Sequence, residues 1–508
     1  MGNKFDVVVI GSGCGASPVA GNLADAGAGV CVLERGKWWG PINAKDRYPH
    51  GLWELIKATR GVGISLPLFH RYLTLNRQGG LFEYYIVMNG YVILIPSGVG
   101  GGSLVIGGFI DKPPSEYFDY FPPEITYPEM EKHYDNVAKV VQPIAAPVPT
   151  PYAVAIEKAC DKIPGITSHP QLTSIWYGGS PERNETRIND FGQSQQNCNY
   201  QSHCLTGCNR GAKNSMDITY LQRVLQNNGE IRELSEVKII RKVSSGYEVD
   251  YYDIRNGKMR TIGAPKLVLG AGALNTMKIL FDSRTAGSGG LDRLSSRLGK
   301  QWGFNGDRVG IKLLRKASID HFYGPCLFRY HELTSNEHNF DFHQFACRSS
   351  ALTWLPWPFS SIGHKIIPFL SLSREKAIGT IKPSGNVVKI TYPHQDGHRR
   401  ADIAQRKIAY EMDCLVQNPG TKKHDQKIKK IESIKMNRGI GSVHPTGGAA
   451  MSDTIERGVV DHRGEVFQYP GLFISDASIL PAGTCCGPYF TIMALADRIS
   501  QYIIRHEK

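Results

Sequence analysis

Phe5-Asp-Val-Val-Val-Ile10-Gly11-Ser12-Gly13-Cys14-Gly15-Ala16, answered by Val30-Cys-Val-Leu33-Glu34-Arg35-Gly36, is the stretch whose reading decides the fold. Phe5 to Ile10 is a short β-branched run of the kind buried on both faces of a parallel sheet. It enters a glycine cluster from which a helix can start, expected from about Pro18 to Ala26. Val30 to Leu33 then closes a βαβ unit with Glu34 at its carboxyl end. Gly11 makes the tight turn, Gly13 lets the backbone approach a pyrophosphate, and Ala16 stands for the third glycine, where the helix packs closely. Ser12 and Gly15 complete the loop, and the helix N-terminus offers unpaired N–H groups to phosphates. Glu34 can accept hydrogen bonds from ribose hydroxyls and would repel a 2′-phosphate, which favours FAD or NAD over NADP.

The chain has 508 residues, too many for one simple core, so two domains or one domain with large insertions are expected. The apolar fraction, 41%, is that of a globular protein, and no run of about 18 apolar residues predicts a transmembrane helix. The first strand begins at Phe5, which leaves no room for a cleaved signal. Asp6 stands where a myristoylation signal wants Ser or Thr, so the cytoplasm is the expected compartment. Net charge is +13, from 59 basic and 46 acidic residues, which disfavours a polycationic substrate; no nucleic-acid-binding module is visible. Part of the excess lies in Lys422 to Lys435, where Ile428, Ile431 and Ile434 recur every third residue, as in an amphipathic element with a solvated face; a patch for an acidic partner or a membrane is the other reading.

A second glycine loop follows at Ser97-Gly98-Val99-Gly100-Gly101-Gly102-Ser103-Leu104-Val105-Ile106-Gly107-Gly108. Its backbone can lie nearly flat against a ligand. Apolar flanks on both sides favour a buried, ligand-contacting loop over a flexible surface one. Leu267-Val-Leu-Gly-Ala271-Gly272 then reads as a strand running into a turn and a helix that returns the chain to the nucleotide domain. Near the end stand His444-Pro-Thr-Gly447-Gly448, Gly471-Leu-Phe-Ile-Ser-Asp476-Ala477 and Pro488-Tyr489-Phe490-Thr491-Ile-Met-Ala-Leu-Ala496.

In this order these segments resemble the glucose–methanol–choline (GMC) flavin oxidoreductases, and the glycine-loop wording is similar to the cholesterol-oxidase-like branch. The resemblance implies an α/β fold: a Rossmann-like FAD-binding domain in a PHBH-type two-domain flavoprotein, with a substrate domain built on an antiparallel sheet covered by helices. Residues 1–40, 90–150, 205–310 and 440–508 are expected to form the FAD domain. Residues 41–89, 151–204 and 311–439 are expected to form the substrate domain and lid elements. Non-covalent FAD is then expected on Gly11, Ser12, Gly13, Gly15, Ala16, Glu34 and Arg35. The glycine loop adds Gly98, Gly101, Gly102, Ser103 and Val105, and the C-terminal half adds Gly272, Asp476, Ala477, Pro488, Tyr489 and Phe490. The implied reaction is oxidation of an alcohol CH–OH to a carbonyl by hydride transfer to flavin N5, with oxygen or a dye or protein as electron acceptor. A neutral His444 imidazole would take the hydroxyl proton as general base; a purely structural histidine is the other reading.

Two positions depart from the family. The Asn or His expected before Pro488 is Gly487, and a polar position in the glycine loop is Ile106. Thr484, Cys486 or Tyr489 would have to supply the missing hydrogen bond. Steroid isomerisation is disfavoured, because no carboxylate occurs from Phe342 to Arg374; Phe345, Trp354, Trp357, Phe359, His364 and Phe369 read there as an apolar wall or as core. His343 and His364 are alternative bases. Cys198, Cys204 and Cys208 resemble an iron–sulfur run that lacks a ligand at Gln201, suit zinc with His203, or are loop residues; no metal is the favoured reading. Substrates from sterol-like alcohols to sugars, aminosugars and secondary metabolites fit the resemblance. The alternatives in other classes are a flavin-binding protein whose chemistry has lapsed and an NAD-dependent dehydrogenase built on the Gly11–Glu34 unit.

Overall fold

The computed structural model describes residues 5–40, 46–66, 69–78, 80–87, 91–319, 323–326, 329–333, 340–344, 364–373, 375–385, 387–393, 397–418, 420–433 and 441–506. Strand β1 (Val7–Ile10) is buried at every position and lies parallel to β2 (Val30–Leu33). Between them α1 (Ala16–Asp25) starts two residues before the expected Pro18. The helix therefore begins at the glycine turn itself, with Gly15 as its N-cap and no side chain bonded there. Burial of a β-branched run on both faces explains why this strand needs no alternation of polar and apolar residues.

The remaining strands of that sheet come from distant sequence: β8 (Glu230–Arg232), β9 (Lys266–Leu269) and β15 (Leu472–Ile474). The order is β8-β2-β1-β9-β15, all neighbours parallel. After β9 the Gly270-Ala271-Gly272 turn starts α4 (Ala273–Arg284). Tyr489–Arg505 forms α7, which packs on α1 and on α2 (Tyr127–Val141). A three-stranded antiparallel unit, Ser235–Val243, Gly246–Asp253 and Lys258–Ala264, is attached beside it.

The aromatic-rich region after residue 52 forms β3 (Thr59–Leu66), β4 (Phe69–Thr74), β5 (Phe82–Val87) and β6 (Tyr91–Pro96). With β14 (Gly441–Ser442), the strand that precedes His444, they make a mixed sheet of order β14-β6-β5-β3-β4. β5 and β6 pair across the boundary expected between residues 89 and 90.

The expected antiparallel sheet is present as β10-β13-β12-β11-β7. Its members are β7 (Ile166–Pro170), β10 (Arg308–Leu313), β11 (Arg329–Leu333), β12 (Phe340–Gln344) and β13 (Ile366–Ser373). Helices α3 (Pro151–Cys160) and α5 (Gly397–Gln417) cover it through Ile156, Ile367, Phe369, Ile408 and Met412. The amphipathic element is α6 (Thr421–Glu432), with Ile431 buried; Ile434 and Lys435 lie outside the described residues. So do Phe345, Trp354, Trp357 and Phe359, and the His343 side chain; Phe369 is core.

Candidate active site

A groove of about 480 Å³ runs from the Gly11 loop to His444. Two of its glycines leave no room for a side chain. A Cβ on Gly11, at φ 92°, would lie 2.3 Å from the Gly270 carbonyl oxygen, and one on Gly15 would lie 2.1 Å from that of Ser475. A Cβ on Gly13 meets only the Gly101 Cα at 4.0 Å, so this is where the loop leaves room for a ligand. Gly11, Ser12, Gly13, Gly15, Glu34 and Arg35 all line the groove. Gly101, Gly102, Gly272, Asp476, Ala477 and Tyr489 line it too, as does Pro488, the N-cap of α7.

Ala16, Gly98, Ser103, Val105 and Phe490 stand behind this wall. Ser103 Oγ–H donates to the Gly100 carbonyl at 2.8 Å and accepts the Met216 N–H at 2.9 Å, which pins the second glycine loop. Lys213, which the sequence reading passed over, pins it further. Its buried ammonium donates to the carbonyls of Leu104 (2.9 Å), Ile106 (2.8 Å) and Cys204 (3.0 Å).

Glu34 is buried, with Oε2 accepting the Ser12 hydroxyl at 2.6 Å and Oε1 the Gly36 N–H at 2.8 Å. Each oxygen keeps a lone pair for a ribose hydroxyl. Asp476 does a different job. Its Oδ2 accepts the Gly272 N–H at 2.8 Å and the Thr276 hydroxyl at 2.5 Å, and its Oδ1 accepts the Ser478 N–H at 2.8 Å. Burial raises its pKa above the ordinary aspartate value against the pull of those donors. It thus fixes the turn that starts α4. The unencumbered N-termini of α1 and α7, the glycine cradle and the ribose-directed Glu34 together fit an adenine dinucleotide.

At the far end His444 keeps only 9% of its side chain exposed. Its Nδ1–H donates to Asp307 Oδ1 at 2.8 Å. Asp307 is fully buried, and its Oδ2 accepts the Ser442 hydroxyl and the backbone N–H groups of Val443 and His444, each at 3.0 Å. The carboxylate so fixes both ring and backbone, leaving the Nε2 lone pair to the groove. Asp307 was not among the expected site residues. In sequence, Leu294–Lys300 to Asn305-Gly306-Asp307 continues the family likeness, but nothing there pairs Asp307 with His444.

The turn from Thr484 to Gly487 is held by Asn305. Asn305 Nδ2–H donates to the Cys486 carbonyl at 2.7 Å, and its Oδ1 accepts the Thr484 N–H at 2.6 Å. The Thr484 hydroxyl lies 2.9 Å from Asn305 Oδ1 and 2.6 Å from the Cys486 carbonyl, and it does not line the groove. The space beside Gly487 is filled by Phe109. A Cβ at 487 would lie 1.9 Å from Phe109 Cε2, and the same ring stands edge-on to His444, centroids 6.0 Å apart.

Cys204 is buried and Cys198 and Cys208 are half-buried in an apolar cluster with Tyr177 and Tyr200. Among the described residues their sulfurs do not converge as a ligand set. The donor set that does converge is Glu411, Cys414 and His424, where Glu411 Oε1 and His424 Nε2 share a 2.5 Å hydrogen bond joining α5 to α6.

Family models described as GMC oxidoreductase match residues 12–293 and 395–496. The chain is 24% identical to a cholesterol oxidase of Acinetobacter baumannii, covering 98% of this chain and 94% of that protein. It is 23% identical to a long-chain-alcohol oxidase of Arabidopsis thaliana, covering 99% and 67%. The fold is shared with pyridoxine 4-oxidase from Mesorbium loti, at TM-score 0.66 and 16% identity over 99% of each chain. Formate oxidase of Aspergillus oryzae matches at TM-score 0.66 and 14% identity, over 100% of this chain and 99% of that one. The residues that build this groove, and the family matches that span both of its ends, place the chain among the GMC oxidoreductases, enzymes whose cofactor is FAD.

Proposed function

We propose that the protein oxidises the CH–OH group of an apolar alcohol to a carbonyl, with His444 as general base. The observation that carries this is the His444–Asp307 pair: a ring locked through Nδ1 presents Nε2 where the groove wall is Ile106, Phe109, Val443 and Pro445. Charged lining residues are engaged with one another: Arg35 pairs with Glu83 at 2.6 Å, and Arg60 and Lys238 pair with Glu236 at 3.4 and 2.9 Å. FAD, when bound, supplies the acceptor for the hydride that leaves the carbinol carbon. His444 Nε2 takes the hydroxyl proton, and the buried Asp307 carboxylate stabilises the imidazolium that results. Phe109 and Ile106 offer apolar surface to the carbon skeleton, which supports a lipid-like alcohol over a sugar. Similarity to a sterol oxidase and to a long-chain-alcohol oxidase points the same way.

One observation favours a second reading. Phe109 occupies the space of the family's second polar group, so the fold would here hold FAD without oxidising alcohols. Anaerobic mixing with sterols, long-chain alcohols, sugars and pyridoxine separates the two. Bleaching of the flavin by an apolar alcohol supports the first. A flavin that photoreduces, yet is bleached by none of them, supports the second.

A further inference from the structure

Away from the groove, the hairpin of α5 and α6 gathers three groups of metal-ligating chemistry. Glu411 and Cys414 stand three residues apart on α5, so both project from one face of that helix. The chain turns at Asn418 and Gly420, both at positive φ, and α6 runs back along α5, as the pairs His424–Glu411 and Glu432–Lys407 show. This return brings in His424 from the first turn of α6. One ligand atom from each of Glu411, Cys414 and His424 then lies within 4.8 Å of the other two. Glu411 and Cys414 are buried, and His424, 33% exposed, leaves a way in from solvent. None of the three lines the groove.

The spacing suits a small tetrahedral cation. Zinc bonds of about 2.0 Å to oxygen and nitrogen and about 2.3 Å to sulfur hold ligand atoms about 3.3–3.6 Å apart. Glu411 Oε1 and His424 Nε2 now share a 2.5 Å hydrogen bond, so that edge has to open by about 0.8 Å to admit the ion. His424 Nδ1 faces Asp425 Oδ1 at 3.6 Å, too long for a hydrogen bond but on the side from which a carboxylate orients a metal-bound imidazole. A thiolate, an imidazole and a carboxylate together favour zinc over the all-oxygen cations magnesium and calcium. α6 also needs a tie. It has 12 residues and buries Ile431 alone, and a helix of that length is marginal without packing. At its far end Lys407 Nζ meets Glu432 Oε1 at 2.6 Å, but Glu432 is 50% exposed and such a pair holds weakly.

We propose that Glu411, Cys414 and His424 bind one Zn²⁺ that clamps α6 onto α5, the helix that covers the antiparallel sheet through Ile408 and Met412. The ion takes the Cys414 thiolate, whose proton is released to solvent, the neutral Nε2 of His424 and one Glu411 oxygen, with water as the fourth ligand. The clamp lies outside the groove and does not depend on which alcohol is oxidised there.

The test uses the full-length, FAD-loaded protein, freed of metal with a chelator and dialysed against Zn²⁺. One zinc per chain is expected, with an X-ray absorption spectrum of one sulfur at about 2.3 Å and lighter ligands at about 2.0 Å. His424→Gln, at a half-exposed position, and Cys414→Ser, which keeps the side-chain shape, should each weaken binding at least about 10-fold, while Cys198→Ala leaves it unchanged. Zinc should also slow amide exchange across Thr421–Glu432 by about 10-fold or more in wild type and not in His424→Gln. Wild type that holds no more zinc than His424→Gln overturns the proposal. So does zinc that is lost in Cys198→Ala but kept in Cys414→Ser, since the ion would then belong to the Cys198 cluster. Exchange in α6 that zinc leaves unchanged overturns the clamp.

Discussion

At the scale of single residues, the site depends on two side chains beside His444: Asp307, which holds its ring by contact, and Phe109, which fills the space next to it. His444→Ala is expected to retain FAD and to slow flavin reduction by about 10²-fold or more, the ordinary weight of a general base. Asp307→Asn is expected to cost about as much, because an amide can hold the ring in the wrong tautomer while keeping its shape. Stopped-flow reduction with a bleaching alcohol measures both, and unchanged rates would remove the pair from the mechanism. Restoring the family residue is expected to fail. Gly487→Asn drives a side chain into the Phe109 ring 1.9 Å away, which should destabilise the protein by about 1–3 kcal/mol in urea unfolding. Phe109→Ala combined with Gly487→Asn should recover most of that loss, because the two changes share one space. An additive double variant would show that the collision is relieved elsewhere. His444 and Gly487 were legible in sequence, but their partners were not: Asp307 and His444 stand 137 positions apart, and a glycine in place of Asn does not say which ring fills the gap.

At the scale of elements, legibility followed the kind of burial. β1, α1 and β2 could be read because a fully buried parallel strand is a continuous apolar run and the glycines mark the turn. The strands of the antiparallel sheet pair residues such as Tyr330 with His169, far apart in sequence, and carry no comparable signal. Nor could the sequence show how α7 is held. Asp497 on α7 accepts His133 Nδ1–H from α2 at 2.7 Å, Asn136 Nδ2–H at 3.1 Å, and Asn22 Nδ2–H from α1 at 3.0 Å. His133 Nε2 in turn faces Glu129 Oε1 at 3.2 Å. Burial alone would lower the His133 pKa, but hydrogen bonds to Asp497 and Glu129 outweigh it and raise it above 6.5. Burial would raise Glu129, but His133 and Arg498 outweigh it and hold it at about 2 against an ordinary 4.5. A raised histidine stabilises below its unfolded value and loses that contribution as pH rises through the folded one. A depressed carboxylate stabilises above its unfolded value and loses that contribution as pH falls. The tie is therefore complete between about pH 4.5 and 6.5. The stability gap between wild type and His133→Gln, from urea midpoints, should be widest near the middle of that window and shrink at pH 9. A gap independent of pH would mean that the imidazolium does not carry the tie.

At the scale of the whole molecule, the groove joins segments that the chain keeps far apart. Its wall takes Gly11 to Gly15 from the first turn, Ser235 to Lys238 from the antiparallel unit, Gly270 to Leu274 where α4 starts, and Asp476 and Pro488 from the C-terminal end. Two of these meet backbone to backbone, since Gly15 lies against Ser475 with no room for a methyl group. A ligand bound across all four segments exists only on the assembled sheet, so its binding free energy adds directly to the stability of that assembly. Protein stripped of FAD is thus expected to melt at lower temperature and to regain stability by about 1.4 kcal/mol for each tenfold rise in free FAD above its dissociation constant. AMP, which can reach the Gly11–Glu34 end but cannot span to His444, should restore only part of this. Gly15→Ala, which forces the first turn away from Ser475, should both lower the melting temperature of the stripped protein and flatten its response to FAD. If the stripped protein melts where the loaded one does, the cofactor adds nothing to the joining of the two chain ends, and the sheet β8-β2-β1-β9-β15 is held by its own packing alone.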